Sequence, residues 1–62
     1  MTIEVFKNGQ TIGFVVGKDR LSTADLISKA FPQVDRVETN SSLPKNDPRC
    51  KKIADNVYAW VN

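Results

Sequence analysis

Asn8-Gly9, set between two runs of alternating apolar and polar residues, most limits what this chain can fold into. Asn-Gly is the strongest short-range signal for a tight β-hairpin, because both central positions of its turn require a positive φ. Residues 2–17, TIEVFKNGQTIGFVVG, therefore read as two antiparallel strands. A two-residue loop sets Lys7 opposite Gln10, Val5 opposite Ile12 and Ile3 opposite Phe14. In that register Ile3, Val5, Ile12, Phe14 and Val16 share a core face. Thr2, Glu4, Phe6, Thr11, Gly13 and Val15 share the outer one. A slip of one residue exchanges the two faces, so the register decides which side chains a partner can reach.

Past Gly17 the polar stretch Lys18-Asp19-Arg20 leads into a helix signal. Ser22 is a capping residue, Asp25 stands three positions on as in a capping box, and Leu21 and Leu26 have the spacing of a hydrophobic staple. Leu26, Ile27, Ala30 and Phe31 recur at helical spacing. Pro32 pushes Phe31 out of the helical region and ends the helix. The expected helix is 23–31, too short to persist without packing on the hairpin. Residues 34–39, VDRVET, read as a short third strand, because an isolated hairpin needs a further partner. Residues 40–47 read as a loop with Leu43 tucked inward. Asp47-Pro48 then opens a second expected helix, with Asp as N-cap and Pro at the first helical position. Along it Cys50, Ile53, Ala54, Val57, Trp60 and Val61 fall on one face. The expected architecture is a single two-layer α+β domain, β-β-α-β-α, over residues 1–62.

Composition narrows the function. A chain of 62 residues buries only about 60% of its unfolded surface. Without staples its net stability is expected to be roughly 3–5 kcal/mol. It has no histidine and one cysteine, which removes the Cys/His zinc clusters, internal disulfides and any nucleophile–histidine pair. No cofactor is expected, no metal, and no catalysis. The longest apolar run, Phe14-Val15-Val16, is far too short to cross a bilayer, so no membrane partner is expected. The N-terminus runs straight into the hairpin, so no signal peptide is expected, and the lone Cys50 fits a reducing cytoplasm. On its helix stripe Cys50 reads as a buried structural thiol. Asn40-Ser41-Ser42 matches a glycosylation sequon that carries no weight without secretion.

Net charge is +2, and the surplus sits in one place. Residues 1–44 balance, whereas Lys45, Arg49, Lys51 and Lys52 face only Asp47 within 45–52. On a helix N-terminus these cations oppose the dipole, and together with free backbone N–H groups they suit an anion. The bland reading is a solvated face, with Lys51 and Asp55 as a weak i,i+4 pair. Phe6 and Val15 on the outer hairpin face offer an apolar anchor for a protein partner or a stacking surface for bases. The exposed strand edges are open to pairing. Lys45, Arg49, Lys51, Lys52, Phe6 and Val15 are thus the candidate binding residues. The leading expectation is a small cytoplasmic regulatory or inhibitory protein, of the kind phages and plasmids encode, that docks onto a protein. The alternative is a nucleic-acid-binding protein using 45–52. A homodimer through a hairpin edge or the Trp60 stripe is the third.

Overall fold

The computed structural model describes residues 1–62. Its elements are β1 (Thr2–Lys7), β2 (Gln10–Val16), α1 (Arg20–Ala30), β3 (Arg36–Glu38), β4 (Cys50–Ala54) and β5 (Val57–Trp60). The five strands form one antiparallel sheet in the order β3-β1-β2-β5-β4, and the single helix packs on one of its faces. The fold is mostly sheet, so the expected β-β-α-β-α domain with two helices is not what forms. The short strand expected within 34–39 is β3, which lies against β1 with Val37 opposite Val5.

The second helix is where the expectation fails. Residues 50–60 make a hairpin whose two-residue turn, Asp55-Asn56, holds Asn56 at φ 63. The apolar spacing from Cys50 to Val61 fits a helix. The same segment also contains Val57-Tyr58-Ala59-Trp60, a β-branched and aromatic run behind a left-handed turn residue. Sheet packing decides between them: β5 closes the β2 edge, pairing Val57 with Val15 and Ala59 with Gly13. Asp47 does accept a backbone N–H two residues on, from Arg49 at 2.9 Å. That bond makes a side-chain turn leading into a strand instead of a helix cap.

The first hairpin forms around Asn8 (φ 53) and Gly9 (φ 75), with Lys7 opposite Gln10 as its turn dictates. One step further the register departs from simple alternation. Phe6 pairs with Thr11 and Val5 with Gly13, leaving Ile12 as the extra residue of a β-bulge. Ile3 therefore opposes Val15, not Phe14. Val15 turns into the core and is fully buried, which overturns its assignment to the outer face. Phe14 turns to the far face. Ile12 still packs against the core from the bulge.

Gly13 explains the choice. It sits beneath Phe31, and a Cβ there would press into the Phe31 ring and lie 2.5 Å from the Tyr58 carbonyl oxygen. The missing side chain lets the ring reach the sheet, where Phe31, Val5, Val15 and Val57 form the core with Leu26, Ile27, Ala30 and Val34 around them. Burying each such valine contributes roughly 1.5–3 kcal/mol. The helix begins earlier than its pattern predicts. Asp19 is the N-cap and Ser22 the third helical residue, and the two cap each other reciprocally: Ser22 N–H donates to Asp19 Oδ1 at 2.9 Å, and Asp19 N–H to Ser22 Oγ at 3.2 Å. Leu21 is 84% exposed, so the expected staple with Leu26 does not form.

Gly13→Ala is expected to cost about 3 kcal/mol through overpacking. Set against roughly 3–5 kcal/mol for a domain this size, that leaves about 0–2 kcal/mol, so urea melts should find the variant's midpoint moved close to zero denaturant.

Candidate binding surface

Alternation along the strands sorts the side chains into two sets. Val5, Gly13, Val15, Val57 and Ala59 face the helix. Glu4, Phe6, Phe14, Tyr58 and Trp60 face away from it. The second face is thus rich in aromatic rings and carries no helix. Phe6, 9% exposed, lies under the Arg36 guanidinium, whose Cζ stands 3.9 Å from the ring centroid. Cross-strand pairing of Phe6 with Arg36 puts them on one face. The Arg49 guanidinium stands 4.6 Å from the centroid of Trp60. Phe14 meets Trp60 edge to face, with centroids 5.9 Å apart and planes at 66°.

Both arginines are held at their other end by a carboxylate. Arg36 Nη1 donates to Glu38 Oε1 at 2.6 Å. Arg49 donates twice to Asp47, from Nε at 3.0 Å and from Nη2 at 2.8 Å. This fork, with the Arg49 backbone N–H on the same carboxylate, holds the Asp47 pKa down at about 2. Desolvation, with the Asp47 charge as a lesser cause, pushes the half-buried Cys50 thiol up, away from thiolate chemistry.

The basic segment does not form one patch. Lys51 opposes Ala59 and so projects on the helix side of β4, whereas Lys52 opposes Tyr58 and projects on the second face. Lys52 stands 3.9 Å from Asp55, Arg49 is tied to Asp47, and Lys45 is exposed in the connection before β4. The helix N-terminus that was to collect an anion does not exist there. Of the expected site residues, Phe6 and Arg49 belong to the aromatic face, Lys52 lies at its margin, and Val15 is in the core. Arg36, Tyr58 and Trp60 complete the face. The alternation of Val57-Tyr58-Ala59-Trp60 was the signal that could have found two of them.

A cavity of about 390 Å³ opens on this face, lined by Glu4, Gln10, Thr11, Phe14, Trp60 and Asn62. No group of three or more His, Cys, Asp or Glu side chains is placed to hold a metal ion. No helix is long and apolar enough to cross a membrane. Comparison with protein-family models, curated proteins and solved structures finds no match.

The fork on Asp47 has a pH signature. In an NMR titration the Asp47 carboxyl should turn over near pH 2, and Arg49→Gln should return it toward the ordinary 3.8. Because the folded pKa lies below the ordinary one, the stabilisation is present above about pH 4. It is lost as pH falls through about 2.

Proposed function

We propose that the chain is a small non-catalytic regulatory or inhibitory protein that docks onto a protein partner through the second face of its sheet. One observation carries this reading: Arg36 and Arg49 stack on Phe6 and Trp60 while Glu38 and Asp47 hold them from behind. Tryptophan, tyrosine and arginine are the residues that dominate protein–protein interfaces. Here they share one face with Tyr58. Their side chains are already ordered by stacking and by ion pairs, so less rotamer freedom remains to be lost on binding. Both arginines of the face are neutralised by carboxylates of their own, which suits a protein surface better than a phosphate backbone. A nucleic-acid site wants free cations in a stripe, and 45–52 divides its cations between two faces and two internal carboxylates. The reading includes a cytoplasmic location, supported by the single unpaired thiol.

The double variant Arg36→Ala, Arg49→Ala removes both anchors without touching the core. Immobilised wild-type protein should retain a partner protein from nuclease-treated lysate, and the double variant should lose at least about tenfold of that retention. Equal retention by both would contradict the reading. So would micromolar binding of single-stranded DNA, duplex DNA or RNA that falls steeply with salt.

A further inference from the structure

The 390 Å³ cavity on the second face has a lining with one charged side chain and two aromatic walls. The charge is Glu4. It takes part in none of the four ion pairs of the protein, whose carboxylates are Asp25, Glu38, Asp47 and Asp55. Its cross-strand partner on β3 is Glu38, a second carboxylate, and like charges directly opposite are unfavourable. Glu38 is neutralised by Arg36, whereas Glu4 has only a hydrogen bond from the Thr11 hydroxyl to hold it. Phe14 and Trp60 stand edge to face beside it, and no lysine or arginine lines the cavity. The Trp60 indole already accepts one guanidinium, that of Arg49. Gln10 and Asn62 add side-chain amide oxygens as further acceptors.

An unpaired carboxylate with an aromatic wall is complementary to a cation that is flat and rich in N–H donors. A guanidinium meets both demands, donating in plane to the carboxylate and stacking on the ring. We propose that this cavity receives an arginine side chain of the partner protein, with Glu4 as its counter-charge and Trp60 as its stacking wall. This rests on the docking reading and names the chemistry that the partner presents. The face then meets its partner with two arginines of its own and one acceptor for an arginine.

Trp60 is the only tryptophan, so its fluorescence reports the cavity directly. The probe is the capped tetrapeptide Gly-Arg-Arg-Gly at low salt, titrated against its Gly-Glu-Glu-Gly counterpart and a short oligothymidylate. The arginine peptide should give a saturable change and the glutamate peptide none. Glu4→Gln keeps the shape and the Thr11 contact and should weaken binding about tenfold. Asp25→Asn removes the same charge from the exposed helix and should change binding by less than about twofold. Amide shifts on adding the peptide to wild-type protein should centre on Gln10, Thr11 and the Trp60 indole, a readout that needs no variant. The proposal is overturned by the absence of a saturable change, by equal weakening in the two variants, or by preference for the acidic peptide or the oligonucleotide. No partner enters the titration, so its failure leaves the capture experiment standing, and the reverse also holds.

Discussion

The contact between Phe31 and Gly13 governs the rest of the molecule. A helix of 11 residues, about three turns, has little stability of its own, and Phe31, its C-cap, is buried against the sheet. The ring needs a position on β2 with no side chain, and that position must face the helix. The bulge at Ile12 supplies it, by moving Gly13 opposite Val5 on the helix side. Once it is there, Val15 follows into the core and Phe14 is sent to the other face. The β-bulge is therefore the element that gives the far face its second aromatic wall and places it beside Trp60.

How much of this could be read from the residues depends on which force decided each element. The Asn8-Gly9 turn is local, and its two positive φ angles follow from residue type alone. The same holds for the stop at Pro32 and for a helix between the hairpin and that proline. The bulge was not legible, because alternation counts residues and a bulge adds one for the sake of a distant aromatic ring. The C-terminal hairpin was not legible for a related reason. Cys50, Ile53, Ala54 and Val57 satisfy a helical period, and Asp47-Pro48 offers sound cap chemistry. The decision was taken by the unpaired edge of β2, which only the tertiary structure presents. Asp55-Asn56 and the alternating run behind it were the local signs that agreed with the strand.

The candidate surface was legible in its parts and not in its assembly. Phe6 was expected on an outer face and lies on one. The charge surplus of 45–52 was expected to act together, and the strand geometry splits it: Lys51 and Lys52 are neighbours in sequence and point to opposite faces. Arg49 gained a role that no charge count could assign, as the lid on Trp60 and the partner of Asp47. What results is a sheet with one face committed to its helix and the other ordered by cation–π stacking and short ion pairs.

The register of the first hairpin underlies both the core and the candidate face, and an NMR NOE spectrum tests it most directly. The bulged register predicts contacts from the Phe31 ring to the Gly13 α-protons, from Val15 to the core valines Val5 and Val57, and from Phe14 to the Trp60 indole. Contacts from Phe31 to Phe14, with Val5 paired to Ile12 and helical spacings along residues 48–61, would contradict it.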